Sequence, residues 1–379
     1  MKSSKKLKTY LRRMKKIMSK IKRFIDCYVP TETCNLRCHY CYIAQKRKFN
    51  NKIASFNYSS DYIRKALSVE RLGGICLFNI CAGGETLISD EVIDVIKELL
   101  EEGHYITIVT NGTLTKKFKM IAEFPKKLLK HLIFKFSFHY LELIRLNLLD
   151  TFFENVILMK NSGASITVEI TPSDELEPYI DEIKEISISK LGALPHITIA
   201  RLDKDNIPIL TKHTKDDYVK IWQEFESSLF EFKMSVFGEK RREFCYAGDW
   251  SVYLNLVTGD VYQCYSTMKI DNIYDNIDRP IHFKAIGCNC RQPHCYNAHG
   301  FLALGDIPNL DTPTYASLRN RVCIDGTEWL NEDAKEIMNS KLNELNQEYS
   351  VYKKIMINSY NKYMITKLKI INKIKKVLK

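Results

Sequence analysis

The sequence contains no uninterrupted run of about 18 uncharged apolar residues, so no segment is expected to span a bilayer. Its lysine-rich start lacks the continuous apolar core and small-residue cleavage site of a secretory signal, which makes a cytoplasmic protein the expectation. No base-reading module accompanies the basic residues, so no nucleic acid partner is expected. Disorder is excluded by composition. With 45% hydrophobic and 27% charged residues, the 379-residue chain can bury a core of one large domain or two. Acid is missing from both ends: residues 1–24 hold eleven Lys or Arg, residues 351–379 hold nine Lys, and neither segment has Asp or Glu. The remaining 326 residues carry 37 positive and 45 negative charges, so the net +12 belongs to the ends and the body is mildly acidic.

Both ends have helical spacing of apolar residues: Leu7, Leu11, Met14, Ile17, Met18, Ile21 and Phe24 in the first, and Ile355, Tyr363, Ile370, Ile371, Ile374 and Leu378 in the last. They read as basic amphipathic helices. Such helices suit a membrane surface, where the protein would sit peripherally, and equally suit packing on the body with a solvated lysine face.

Twelve cysteines in a reducing compartment do not make a disulfide framework. Cys27, Cys76, Cys81 and Cys323 stand apart and read as small buried hydrophobes. The other eight fall into two groups, Cys34, Cys38 and Cys41 in TETCNLRCHYCYIAQ, and Cys245, Cys264, Cys288, Cys290 and Cys295 further on.

Apolar, β-branched runs at 24–30, 75–81, 105–110, 132–138, 165–171 and 196–202 alternate with helical periodicity, as in SDEVIDVIKELLEEG, and predict βα units with a parallel sheet over roughly 24–205. In such a sheet, functional residues stand at the C-terminal strand ends. There the sequence places the cysteine loop, then Gly83, Gly84 and Glu85, then Thr110, Asn111 and Gly112, then Ser137 and His139, then Glu169 and finally Arg201.

Cys34-x3-Cys38-x2-Cys41 after the first strand, with Gly83-Gly84-Glu85 after the second, resembles the radical S-adenosylmethionine (SAM) enzymes over roughly residues 24–205. The fold class implied is α/β: a partial (β/α)6 TIM-like barrel, with a small C-terminal cysteine-rich β-hairpin domain and helical termini. The resemblance further implies a 4Fe-4S cluster held by Cys34, Cys38 and Cys41, with one iron left open to bind SAM. Reductive cleavage of SAM would then give methionine and a 5′-deoxyadenosyl radical. By the same resemblance Tyr40 packs near the adenine, Gly83 and Gly84 admit the methionine moiety, and Glu85 contacts its ammonium. Thr110, Asn111, Ser137, Glu169 and Arg201 are candidates for further cofactor contacts. His139, which stands where some members carry an acid, is a further cofactor-contact candidate, with a hydrogen-bonded wall residue as the alternative reading.

Residues 206–244 are read as a helical linker containing DDYVKIWQEFESSLFEFKMSVFG, and residues 306–350 as a helical segment. Between them, 245–305 begins with a hairpin about the turn Thr258-Gly259-Asp260, which brings Cys245 and Cys264 together despite their separation in sequence. With CNCRQPHCYNAHG this resembles the SPASM and twitch extensions of the same enzymes. It departs from a full SPASM domain in holding five cysteines and in the pattern Cys288-x-Cys290-x4-Cys295. One auxiliary 4Fe-4S cluster is the expectation, on Cys245, Cys264, Cys290 and Cys295, with Cys288 the competing ligand. His294 and His299 are read as hydrogen-bonding or outer-shell residues. A structural zinc site is the competing reading. Asp249, Tyr253 and Glu243 lie near these cysteines, and none is singled out as a general base.

The expected activity is hydrogen-atom abstraction followed by electron loss to the auxiliary cluster, a net oxidation of a sugar, glycan or other small molecule, with flavodoxin or ferredoxin as electron donor. No segment is free for a leader-binding winged helix, which sets a peptide maturase second. A non-catalytic metal-binding scaffold is the reading from another class.

Overall fold

In a computed structural model of the chain, the described residues are 20–265, 268–295 and 297–377. Six parallel strands arise from the six predicted runs: β1 (Arg23–Val29), β2 (Cys76–Ala82), β3 (Tyr105–Thr110), β4 (Leu132–Ser137), β5 (Ser165–Ile170) and β6 (His196–Ile197). Their order is sequential, and β7 (Ser251–Asn255), β8 (Asp260–Tyr262) and β9 (Lys269–Asn272) extend the same sheet beyond β1. The hairpin expected around Gly259 is present as the antiparallel pair β7–β8, and Gly259 takes φ +78°, a backbone angle that side chains resist. Strand β7 runs parallel to β1, so the hairpin joins the partial barrel's own sheet.

Alternation along each strand divides the sheet's two faces. Outward residues such as Ile25, Cys27, Phe78, Ile80, Ile106, Ile108, Phe134, Phe136, Val168 and Ile170 form the main core. Helix Asp90–Glu101 lays Val92, Val95, Ile96 and Leu99 on that core and places Asp90 and Glu91 in its first turn, where the helix dipole favours acid. The inward residues form layers. Phe24, Leu77, Tyr105 and Ile133, near the strand starts, join a second core with Tyr246, Trp250, Phe301 and Leu304 from the C-terminal half. Further along stand Asp26, Asn79 and Thr107 in register across β1–β3, and Lys135 and Thr167 in register across β4 and β5, an unusually polar set for a fold interior.

Four expectations change. Residues 1–19 of the N-terminal basic helix lie outside the described residues, while Arg23 and Phe24 belong to β1. Strand β6 is two residues long, and the chain then returns through a single bridge from Arg201 to Ile209. The helix expected over 216–238 is two, Lys215–Trp222 and Ser228–Ser235, parted by Glu226 at φ +47°. Ser227 caps the second by accepting from the Phe230 N–H, so a side-chain cap favours a break inside an apolar pattern. Within 306–350 only Glu332–Asn339 and a short turn at Leu342–Glu344 are helical. The C-terminal helix spans Val351–Val377 as one element.

Candidate functional site

Beyond the ends of β1 and β2 the parallel ladder continues: Gly83 N donates to Val29 O (3.2 Å), Gly84 N to Thr31 O (2.6 Å) and Glu85 N to Thr33 O (3.0 Å). This ladder sets the Gly-Gly-Glu segment beside the start of the cysteine loop. A Cβ on Gly84 would lie 2.0 Å from Thr33 O, and one on Gly83 would lie 2.9 Å from Thr31 O. The two glycines are therefore required by the protein's own backbone, whatever approaches from the other side.

Glu85 is 2% exposed and ties three segments together. Its Oε1 accepts from Leu87 N (3.0 Å) and Thr110 Oγ1 (2.7 Å), and its Oε2 accepts from Asn111 N (2.8 Å). Burial raises its pKa, opposed by these donors. A carboxylate offers about four acceptor positions, so one remains for a cationic donor. Asn111 passes the constraint on, with Nδ2 2.8 Å from Asn35 Oδ1 and 3.8 Å from Cys34 Sγ.

One cavity is lined by Cys34, Cys38, Cys41, Gly83, Gly84, Glu85, Thr110, Asn111, Ser137 and His139. Ten of the sequence-predicted positions thus converge on it. Tyr40 lines an adjoining recess, and its hydroxyl meets His139 Nδ1 at 2.6 Å. Burial lowers the His139 pKa to about 4, so the ring is a neutral, hydrogen-bonded wall residue. The Cys38 thiol is pushed up by burial first and then by Cys34 and Cys41, which face it. Thiols so placed ionise only when positive charge sits among them, and the donor set fits an iron-sulfur cluster in that respect.

A second cavity is lined by Cys245, Cys264, Cys290, Cys295 and His294. Burial raises the Cys245, Cys264 and Cys295 thiols, and each is further raised by other members of the set. Cys288 does not join them: it is exposed, its Sγ taking a 3.6 Å contact from Asn358 Nδ2 on the C-terminal helix. Tetrahedral zinc with bonds of about 2.3 Å holds its sulfurs about 3.8 Å apart. Among the described residues, three ligand atoms within 4.8 Å of one another occur only at Asp174, Glu177 and His213. Neither cysteine group is among them.

Between the cavities lies the polar interior. Asp26 accepts from Asn79 Nδ2 (2.7 Å) and from the hydroxyl of Tyr265, the residue after Cys264. Tyr265 packs on Tyr253 (ring centroids 5.0 Å), and Tyr253 stacks on Tyr28 (6.2 Å), forming an aromatic wall along β1 and β7. Glu169 and Arg201 do not line the first cavity. Glu169 pairs with Arg319 and, at 3.5 Å, with Lys135; burial alone would raise its pKa, but Arg319, Lys135 and Lys233 outweigh burial and hold it at about 2. Arg201 lines a narrow recess with Lys233, His294 and Cys295. Asp249 pairs with Arg23 (2.8 Å) near the strand starts, away from both cavities, which makes it a structural residue.

Sequence reasoning missed Cys81. Read as a plain buried hydrophobe, it is an inward residue of β2 that lines the first cavity beside the triplet. The signal was present in the alternation of β2, where Cys81 shares a face with Asn79.

Residues 28–174 match the Radical SAM superfamily. Over 90 residues the chain is 38% identical to the GTP 3′,8-cyclase of Petrotoga mobilis, which covers 23% of this chain and 27% of that protein. Over 91 residues it is 29% identical to the probable GTP 3′,8-cyclase of Pyrobaculum aerophilum, covering 24% and 27%. The chain thus spans about a quarter of the length of the curated relatives it matches. Among solved structures it is similar to Streptococcus suis SuiB bound to S-adenosylmethionine, with TM-score 0.48 and 15% identity over 72% of this chain and 69% of that one. It is also similar to native anSMEcpe with bound AdoMet, with TM-score 0.45 and 16% identity over 67% and 79%.

Proposed function

We propose that Cys34, Cys38 and Cys41 hold a 4Fe-4S cluster beside a SAM site built on Glu85, and that Cys245, Cys264, Cys290 and Cys295 hold an auxiliary 4Fe-4S cluster, a reading supported by the match of residues 28–174 to the Radical SAM superfamily. When bound, the cofactor pair supplies the radical: one electron splits the sulfonium into methionine and a 5′-deoxyadenosyl radical, which takes a hydrogen atom from a substrate carbon. The auxiliary cluster that Cys245, Cys264, Cys290 and Cys295 would hold would supply an electron acceptor for a net oxidation of the substrate, and flavodoxin or ferredoxin would be the donor of the initiating electron.

The chain's own residues do the positioning. Glu85 offers its remaining acceptor position to the SAM ammonium while Thr110, Leu87 and Asn111 fix its carboxylate. His139 and Tyr40 close the side of the cavity, and the aromatic wall of Tyr28, Tyr253 and Tyr265 gives a ring-shaped substrate a face to lie against. A small, sugar-like substrate is the reading we favour over a peptide.

The observation that carries this proposal is the convergence of the cysteine triplet, the Gly-Gly-Glu segment and Thr110–Asn111 on one cavity, with four further cysteines sharing a second. The test is anaerobic reconstitution, followed by reduction with dithionite in the presence of SAM. Formation of 5′-deoxyadenosine is expected; its absence from a protein carrying a full complement of iron would refute the reading.

A further inference from the structure

From Thr33 to Ser60 the chain holds five Lys or Arg and no Asp or Glu, although the body as a whole is mildly acidic. This stretch begins with the cysteine triplet. Arg37 stands between Cys34 and Cys38, and Lys46, Arg47, Lys48 and Lys52 follow Cys41; all five are exposed. Helix Tyr42–Gln45 ends after one turn, Arg47 takes φ +53°, and three consecutive basic side chains reach solvent. The loop that follows is tied down: Thr33 Oγ1 donates to Lys52 O (2.9 Å), Asn50 Nδ2 to Glu32 Oε2 (2.5 Å) and Ala54 N to Thr31 Oγ1 (3.0 Å). Phe49 of this loop lines the first cavity and carries the Arg37 guanidinium 4.4 Å from its ring centre.

The acids near this loop are already engaged. Asp203 pairs with Lys46 (2.7 Å), Glu142 pairs with Arg145 (2.7 Å), and Glu32 accepts from Asn50. Arg47, Lys48 and Lys52 make no ion pair among the described residues. A run of exposed lysines is ordinarily a solvated face. This one directly follows the triplet, two of whose members, Cys34 and Cys41, are only partly buried, and the same stretch leaves Tyr42 46% and Ile53 49% exposed. An aromatic and an aliphatic contact among charges of one sign make up a surface that docks a protein of the opposite sign. The site held by the triplet also needs an electron from outside. Tunnelling weakens steeply with distance, so the donor has to dock beside that site, where it meets this loop.

We propose that Arg47, Lys48 and Lys52, with Tyr42 and Ile53 as apolar contacts, form the docking surface for a small acidic electron-transfer protein that delivers one electron to the site held by Cys34, Cys38 and Cys41. The carrier is oxidised by one electron, that site is reduced by one, and no atom passes between them. The inference rests on the radical SAM reading for the use of the electron, but docking itself requires neither SAM nor turnover.

A purified acidic flavodoxin and a purified acidic ferredoxin, both oxidised, are the probes, titrated by calorimetry into the full-length, anaerobically reconstituted protein at low and at high salt. At least one is expected to bind, more weakly in high salt, and to lose about ten-fold or more in affinity in the triple variant Arg47→Glu, Lys48→Glu, Lys52→Glu. The double variant Lys362→Glu, Lys367→Glu changes exposed lysines of the C-terminal helix and is expected to bind as wild type does. Dithionite reaches the site without docking, so the triple variant is expected to match wild type in iron content and in dithionite-driven 5′-deoxyadenosine, while carrier-driven formation falls about ten-fold or more. Binding of neither carrier, affinity retained in the triple variant, or an equal loss in the double variant overturns the docking surface. A wild type that binds a carrier through this loop yet makes no 5′-deoxyadenosine with dithionite supports the surface and refutes the radical reading.

Discussion

The Tyr40 hydroxyl and Nδ1 of His139 share a hydrogen bond of 2.6 Å, and burial keeps the imidazole ring neutral. The same condition recurs where His104 accepts from Cys76 N (3.1 Å) and meets Leu67 O (2.9 Å), and at His196 in the interior. Burial lowers His139 and His104 to about 4 and His196 to about 3.

These shifts give stability a definite pH dependence. Below the ordinary histidine value of about 6.5 the unfolded chain binds protons that the folded chain refuses, so stability falls as pH falls from there toward 4. Each such histidine contributes at most about 1.4 kcal/mol per pH unit in that window. Glu169, held at about 2, adds a further loss only below about 4.5, its ordinary value. Urea unfolding at pH 7, 6 and 5 should show a steadily falling midpoint, and equal midpoints would contradict the neutral-histidine assignment.

Glu85 is expected to be essential to SAM binding and important to the fold. Glu85→Ala leaves the Leu87 and Asn111 N–H groups buried without an acceptor, at about 1–3 kcal/mol for each group. Glu85→Gln preserves the shape but presents an amide in place of the carboxylate. We expect Glu85→Gln to fold and to take up iron while binding SAM at least about ten-fold more weakly, measured by equilibrium dialysis.

Gly84 tests the ladder that aligns the two halves of the first site. A Cβ there would lie 2.0 Å from Thr33 O, which is backbone and cannot swing aside. Gly84→Ala should therefore cost about 2 kcal/mol or more and displace the cysteine loop, with iron lost from the triplet before the domain melts. Thermal unfolding and iron content read the two effects separately.

Much of this was legible in the sequence because the strands are buried on both faces. Runs such as CLFNICA and YITIVT have no solvent side to interrupt them, and five of the six parallel strands appear within two residues of their predicted ends. The first cavity was equally legible, since a parallel sheet gathers whatever follows each strand. The break at Glu226 was hidden: Phe225, Leu229 and Phe230 are all buried, so apolar spacing carries no mark of the turn between them. The cluster of cations beside Glu169 was hidden for another reason. Lys135 sits in an otherwise apolar strand and Lys233 in an apolar helix, and only the folded arrangement brings them within reach of Arg319.

The auxiliary cysteines make a clean comparison. Cys290 shares its cavity with Cys245, Cys264 and Cys295, whereas Cys288 faces solvent beside Asn358. Wild-type protein reconstituted without oxygen should carry about eight irons, two cubanes. Cys290→Ser should fall toward about four while Cys288→Ser stays near eight. About four irons with one zinc in the wild type would instead assign the second group to zinc.

The C-terminal helix presents one face to the body and another to solvent. Asn361 is fully buried and donates to Ala285 O (2.9 Å) and Ile286 O (3.1 Å), while Asn358 accepts from Cys288 N (2.9 Å), so polar side chains clamp the helix onto the cysteine-rich loop. Ile357 packs on the second core beside them and Ile365 and Leu368 line a cavity with Cys264 and Cys290, but other apolar residues point the other way: Tyr352, Ile355, Met356, Tyr363 and Ile370 are each more than half exposed. Interleaved with lysines, that face has the composition of a helix that settles on an anionic membrane. We expect the protein to co-sediment with vesicles containing phosphatidylserine but not with vesicles of phosphatidylcholine alone. Ile355→Glu combined with Tyr363→Glu should abolish the effect without altering the melting temperature, because neither side chain is part of the packed core. Deletion of residues 1–19 gives the contribution of the other basic end while sparing β1, which begins at Arg23. Equal sedimentation with both vesicle types, or none with either, would rule out an electrostatic membrane contact.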